Sequence, residues 1–241
     1  MIVLVTDFGA GGPYMGQMKA VLLRQAPGVP IVDLFADLPA FQPQGAAYLL
    51  AAYTNEFPAG TVFLCVVDPG VGGEQRALVA QADGRYFVGP DNGLLAIVLR
   101  RADQARLWSI GWRPGKLSAS FHGRDLFAPI AGRLASGQPP EGSKLPPAEA
   151  GRPDWPDDLP RVVYVDGFGN AMTGLRASTL AASATLLAGG RVLVRARTFG
   201  AVPEGEPFWY ENANGLAEIA VNKGNAAHDL GLAPGSPVEV K

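Results

Sequence analysis

The 241-residue chain has one cysteine, two histidines and few charges, 17% of its residues. A lone thiol, Cys65, cannot close an intramolecular disulfide, and a Cys-rich or His-rich zinc site is excluded. Twenty basic and 22 acidic residues leave a net charge of −2, and no basic run is present, so no nucleic-acid partner is expected. No apolar run is long enough to span a bilayer, and the chain begins in a short apolar run without a basic n-region. The expectation is a soluble cytoplasmic protein without a membrane partner. What is plentiful is apolar surface, 48% of residues, together with 31 glycines and 21 prolines. This is enough for a substantial core and many tight turns.

The organising stretch is Phe63 to Arg76, FLCVVDPGVGGEQR. Its apolar, β-branched start predicts a strand buried on both faces. Cys65 sits inside that strand and reads as an inert thiol. The strand ends on Asp68 before Pro69-Gly70. Asp68 there is either a working carboxylate beyond the carboxyl end of an α/β strand or a turn cap, and the stretch alone leaves both open. Ile2–Thr6 followed by Asp7 repeats the arrangement, and a further strand over Ile31–Leu34 carries Asp33. Helical spacing over Tyr14–Gln25 and Gly45–Phe57 separates these strands. Alternating strands and helices predict an α/β domain with a mostly parallel sheet over residues 1–137. Three carboxylates at strand ends, Asp7, Asp33 and Asp68, also allow a Mg²⁺-type site as a weaker competitor.

Asp83-Gly84 predicts a hairpin between residues 76–81 and 85–88. Asn92, in Pro90-Asp91-Asn92-Gly93, reads as a helix cap. Phe121-His122-Gly123-Arg124-Asp125 precedes a helix over Leu126–Ala135, which puts His122 in a loop at a helix N-terminus and suggests an Arg124–Asp125 ion pair. Prolines crowd residues 138–160, read as a stiff linker. Short strands separated by Gly, Asn and Pro turns make residues 161–241 a small all-β domain. Its polar loops Asp166–Asn170 and Asn212–Gly215 suit either a flat heterocycle or plain turns.

Taken in order, Asp7-Phe8-Gly9, Val67-Asp68-Pro69-Gly70-Val71-Gly72, Pro90-Asp91-Asn92-Gly93, Phe121-His122-Gly123-Arg124-Asp125, Phe168-Gly169-Asn170 and Glu218-Ile219-Ala220-Val221-Asn222 cover nearly the whole chain. Together they resemble the S-adenosyl-L-methionine hydroxide adenosyltransferase family, relatives of the fluorinase and chlorinase. The resemblance implies an α/β N-domain, a barrel-like β C-domain, and a homotrimer with S-adenosylmethionine held between subunits. It implies attack of hydroxide on the ribose C5′, giving adenosine and L-methionine, with no cofactor and no metal. By motif, the catalytic residues are Asp68, Arg76 and His122. The substrate-binding residues are Asp7 (ribose), Phe41, Asp166, Phe168, Asn170, Phe199 and Asn214. Halogenating relatives carry Tyr where this chain has Asp68 and Ser where it has Gly123, which favours hydroxide. Three positions depart from the family pattern: Gly12 precedes Pro13-Tyr14 where Asp is usual, Ala36 replaces a His, and Gln75 stands where an Arg is common. A non-catalytic sensor of S-adenosylmethionine or adenosine is the alternative.

Overall fold

β1 (Ile2–Thr6), β2 (Ile31–Phe35) and β3 (Val62–Val66) are the short apolar runs expected near the N-terminus. β1 and β3 are buried along their whole length because sheet neighbours flank them and side chains cover both faces. These details come from a computed structural model that describes residues 1–241. The chain divides into two compact units, Met1–Pro153 and Asp154–Lys241.

In the first unit, β1 lies between β2 and β3 and pairs with both in parallel. α1 (Pro13–Gln25) links β1 to β2, and α2 (Pro43–Tyr53) leads towards β3. Each helix has proline in its first turn, where the missing N–H costs nothing. β4 (Ala77–Ala82) and β5 (Arg85–Pro90) form the expected hairpin. Asp83 at φ 46° and Gly84 at φ 80° give the left-handed pair that a two-residue turn needs. With β6 (Ala105–Ile110) and β7 (Ser143–Leu145) the sheet reaches seven strands in the order β2-β1-β3-β5-β4-β6-β7. β1, β2, β3, β5 and β6 run one way, and only β4 and β7 oppose them. The remaining helices are α3 (Ala96–Arg101), which packs on α2, and α4 (Ala128–Ala135), which packs on α1. α1 and α4 bury Met15, Met18, Leu22, Ile130 and Leu134 against Ile2, Leu4, Val62 and Leu64.

The proline-rich span is not a free linker. Ser143–Leu145 add an edge strand to β6, Pro147–Ala150 form a 3₁₀ turn, and the first unit runs on to Pro153. Proline-flanked chain is already extended, so it can join a sheet edge at small entropic cost. The strand that opens the second unit starts at Leu159, also inside the span.

The second unit is antiparallel β. β8 (Leu159–Val165), β9 (Ala171–Arg176), β12 (Pro207–Glu211) and β13 (Leu216–Val221) make one sheet in the order β12-β13-β9-β8. β10 (Leu186–Ala188), β11 (Arg191–Leu193) and β14 (Glu239–Val240) make a second, in the order β11-β10-β14. Isolated bridges Arg195–Trp209 and Arg161–Pro237 fall outside these strand pairings. The core centres on Trp209, fully buried, whose indole N–H donates to the Ala184 carbonyl at 3.1 Å. One short helix, α5 (Ala226–Asp229), completes the unit.

Candidate active site

Beyond the carboxyl ends of β1 and β3, the first unit opens into a cavity of about 400 Å³. This is the position that ligands take in open α/β sheets. Phe8, Tyr14 and Phe121 meet at its wall with ring centroids 5.3–5.9 Å apart, Phe121 edge-to-face with both of the others. Asp68 and His122 line the same cavity, with Gln17, Ser118, Ser120 and Arg124.

Asp68 follows β3 by two residues. Its place is fixed from several sides. Asn92 donates from its amide to the Val67 carbonyl at 2.8 Å and accepts from the Leu94 N–H at 3.1 Å. Asn92 is therefore not the cap of α3, whose N-cap is Leu95 without a side-chain cap bond; it closes the turn ahead of that helix and anchors the residue before Asp68. The Pro69–Gly73 turn lies hard against the loop that leads to His122: a Cβ on Gly72, at φ 85°, would stand 2.5 Å from the Ala119 carbonyl oxygen. Only glycine permits that approach. The Gln75 side-chain amide donates to Asp68 Oδ1. Asp68 Oδ2 is closed off from solvent and has no hydrogen-bond partner. Burial pushes the Asp68 carboxyl above the ordinary range. Gln75, the Gly70 N–H and the charge of His122 pull it back only in part.

His122 itself stands not in the loop but at the N-cap of the helical turn that follows it, with φ −62° and ψ −29°, and this segment is braced in turn. Arg124 grips Asp125 through two bonds, 2.6 and 2.9 Å, and reaches Gln17 at 2.8 Å. Asp125 accepts from the Ser118 N–H at 2.9 Å, and Arg124 holds its pKa below the ordinary value. The expected ion pair is therefore the clasp of the loop. Residues Gly123–Phe127 form a π-helical turn before α4, the kind of widened turn that often re-aims side chains at functional sites.

The structure does not bring Arg76 to this cavity. Its guanidinium is taken up by Asp91 at 2.7 Å and Glu149 at 2.9 Å, and the residue that reaches Asp68 is its neighbour Gln75. Nor do the three strand-end carboxylates converge. Asp33 is exposed and paired with Lys19 at 2.6 Å, and no group of three Cys, His, Asp or Glu side chains is spaced to hold a metal. Asp7 accepts the Phe41 N–H at 3.1 Å. Its pKa is raised by burial, with the nearby Asp68 charge adding to the rise. Phe41 is 74% exposed and sits at φ 63°, a left-handed conformation unusual for a bulky side chain. The Cys65 thiol is fully buried and burial pushes its pKa up, which leaves it inert.

In the second unit, Asp166, Phe168 and Asn170 are drawn together by one loop. Asp166 Oδ1 accepts the N–H groups of Phe168 and Asn170 at 2.9 and 2.8 Å, and Oδ2 accepts the Asn170 amide at 3.0 Å. This leaves the Phe168 ring 81% exposed. Phe199 packs edge-on against Phe208 and Tyr210. The Asn214 N–H donates to Asn212 Oδ1 at 3.0 Å. Asn212 in turn donates to Glu218, a buried carboxylate that also accepts from the Tyr210 hydroxyl. The aromatic wall of Phe8, Tyr14 and Phe121 was not nominated from sequence. The available signal was adjacency, since Phe8 follows Asp7 and Phe121 precedes His122.

Fold and site together define a two-domain α/β-plus-β protein. Its N-terminal unit holds an aromatic-walled cavity with a buried carboxylate and a histidine. Family models for the SAM hydroxide adenosyltransferase N-terminal and C-terminal domains match residues 2–144 and 160–239, and the chain belongs to that family. It is 40% identical to an (R)-S-adenosyl-L-methionine hydrolase of Thermus thermophilus, over 99% of this chain and 98% of that protein. It is 36% identical to one of Salinispora arenicola, over 99% and 97%. The crystal structure of an uncharacterized conserved protein from Thermotoga maritima superposes with a TM-score of 0.87 at 32% identity, covering 100% of this chain and 99% of that one.

Proposed function

We propose that the protein is an enzyme that hydrolyses S-adenosyl-L-methionine to adenosine and L-methionine by attack of water on the ribose C5′. The observation that carries this reading is Asp68, raised in pKa by burial and lining a cavity with His122. One of its oxygens is held and the other has no partner. A buried carboxylate oxygen without a partner is the acceptor a general base requires.

The water oxygen bonds to C5′, and the C5′–S bond breaks with its electron pair going to sulfur. The water proton passes to Asp68. Methionine departs as a neutral thioether, so departure needs no acid. His122, which lines the same cavity, holds the water, accepts the proton from Asp68 on its free ring nitrogen and releases it to solvent. Alignment of the water behind C5′ in the aromatic-walled cavity supplies much of the rate. Arg76 serves from outside: it ties the end of the Asp68 loop to Asp91 through its side chain and through its carbonyl, which accepts the Asp91 N–H at 3.0 Å.

Asp7 and Phe41 bind the ribose and its base. Asp166, Phe168 and Asn170 hold the methionine and adenine ends, and Phe199 and Asn214 complete the adenine contacts. The working form is a cytoplasmic homotrimer with each site shared between subunits, and no cofactor takes part. The relatives' names support the substrate and specify the (R) form, so both sulfonium epimers belong in the assay. Incubation in ¹⁸O-water, followed by chromatography and mass spectrometry, is the test. Equal amounts of adenosine and methionine, with the label in the adenosine 5′-hydroxyl and no effect of a chelator, are expected. Binding without adenosine above the buffer rate would instead make the protein a sensor.

A further inference from the structure

Gln75 is the one side chain that hydrogen-bonds the Asp68 carboxylate, and it does so from within the same loop. Its amide is itself packed: a Cβ added to Gly70 would lie 3.3 Å from both Gln75 Nε2 and Oε1. The donor thus rests on the glycine of the Pro69-Gly70 turn. The following residue, Arg76, faces elsewhere and is held by two carboxylates. The chain therefore offers Asp68 a neutral donor and keeps the adjacent cation away from it.

We infer that Gln75 is the positioning residue of this site: its amide fixes Asp68 through Oδ1 and leaves Oδ2 alone to take the proton from water. The inference rests on the hydrolytic reading above and deepens it. An amide and a cation act differently on a carboxylate at this point. A carboxylate bonded by a cation loses basicity, and one left with the Gly70 N–H as its donor is freer to rotate about its terminal torsion. An amide restrains the carboxylate without adding charge. The other groups around Asp68 are few. His122 faces it from the N-cap of the π-helical turn, and Asp7 lies near it at the end of β1. Tyr14 on α1 and Arg124 line the same cavity, and Arg124 is already committed to Asp125. Glu74, next to Gln75 in its own loop, is exposed.

The test uses the full chain with Gln75→Ala, Gln75→Arg and Gln75→Glu. Three quantities are measured: the pH dependence of kcat and KM for S-adenosylmethionine, the Asp68 carboxyl titration by ¹³C NMR, and the thermal midpoint. Gln75→Ala should lower kcat about 10- to 100-fold with KM within about threefold, because transition-state alignment is lost and ground-state binding kept. Gln75→Arg should move the Asp68 titration and the acid limb of kcat to lower pH. Gln75→Glu should move both to higher pH. A role confined to loop stability would lower the thermal midpoint in step with activity and leave both titrations unmoved, and that result overturns the inference. So does an unchanged kcat in Gln75→Ala. If the wild-type chain releases no adenosine, the hydrolytic reading fails on that count alone. The NMR titration then still decides whether Gln75 governs Asp68: an Asp68 titration unmoved by Gln75→Arg overturns that too.

Discussion

Asp68 in the first unit and Glu218 in the second are both carboxylates that burial drives to higher pKa. Their partners separate them. Glu218 has both oxygens satisfied, by the Tyr210 hydroxyl at 2.5 Å and the Asn212 amide at 2.8 Å. Asn212 Oδ1 then accepts the N–H groups of Asn214 and Leu216 at 3.0 Å each. That carboxylate is the hub of a closed polar network that shapes a loop. Asp68 has one oxygen held by Gln75, and its other is buried without a partner. Burial alone therefore does not mark a working acid. A buried carboxylate oxygen with no protein partner, on a residue that lines a cavity, does, because an unpaired buried acceptor is costly to the fold.

The largest effect should follow from removing the Asp68 carboxylate. Asp68→Asn keeps the shape and removes the base, and adenosine release should fall about 10⁴-fold while substrate still binds. The same change should stabilise the fold near neutral pH. A carboxyl whose folded pKa is raised binds its proton more tightly folded than unfolded. Its favourable contribution is present below the unfolded pKa and is lost as pH rises through the folded value. At pH 7 Asp68 therefore weakens the fold, and Asn does not. Thermal melts of the pair at neutral pH should favour Asn, and the difference should vanish on the acid side of both pKa values. Equal melting at every pH would remove the distinction between Asp68 and an ordinary surface carboxylate.

The next effect is at His122. Its replacement by Ala should reduce turnover about 10²-fold, with a much smaller change in affinity for S-adenosylmethionine measured by calorimetry. Equal losses in both would make His122 part of the binding wall. In the wild-type protein the acid limb of kcat/KM should lie above the range of an ordinary Asp, because activity needs ionised Asp68 and is lost as pH falls through its raised pKa.

Glu218 supplies the contrasting arm. Glu218→Ala leaves the Tyr210 hydroxyl and the Asn212 amide without their acceptor, and the fold should lose about 1–3 kcal/mol. The loss should appear in chemical denaturation and in KM, through the loop at Asn214, with kcat for bound substrate nearly unchanged. A collapse of kcat with the fold intact would put Glu218 beside Asp68 and erase the difference between the two regions.

Much of the fold was legible because its signals are local. The apolar runs of β1 and β3, the Asp83-Gly84 turn and the prolines that open α1 and α2 each act within a few residues. β7 has no local signal, because three residues among prolines carry no periodicity and their partner β6 is distant in sequence. β9 contains Gly174 and so reads weakly as a strand. Asp68 and His122 were legible as motif residues, and the structure brings them to one cavity. Arg76 against Gln75 was not decidable from sequence: in an irregular loop no period says which of two adjacent side chains points inward. That choice was made by Asp91 and Glu149, which draw the guanidinium away. The aromatic wall was hidden for a similar reason. Phe8, Tyr14 and Phe121 come from two loop segments and a helix, and they meet only after β1 and α4 pack.

The smallest expected effect tests the rim near Asp7. Phe41 adopts a left-handed backbone, exposes its ring and gives its N–H to Asp7. A bulky residue in that conformation costs about 1–2 kcal/mol, which glycine does not incur. Strain of this kind persists where the surroundings or a function require it. Phe41→Gly keeps the N–H bond to Asp7 and removes the ring. The fold should gain up to about 1 kcal/mol in denaturant unfolding, less what glycine adds to the entropy of the unfolded chain. KM for S-adenosylmethionine should rise severalfold while kcat holds, since a ring stacked on the nucleoside contributes to the ground and transition states alike. Should the variant be more stable with KM unchanged, the ring has no part in binding, and the strain at Phe41 serves only to deliver its N–H to Asp7.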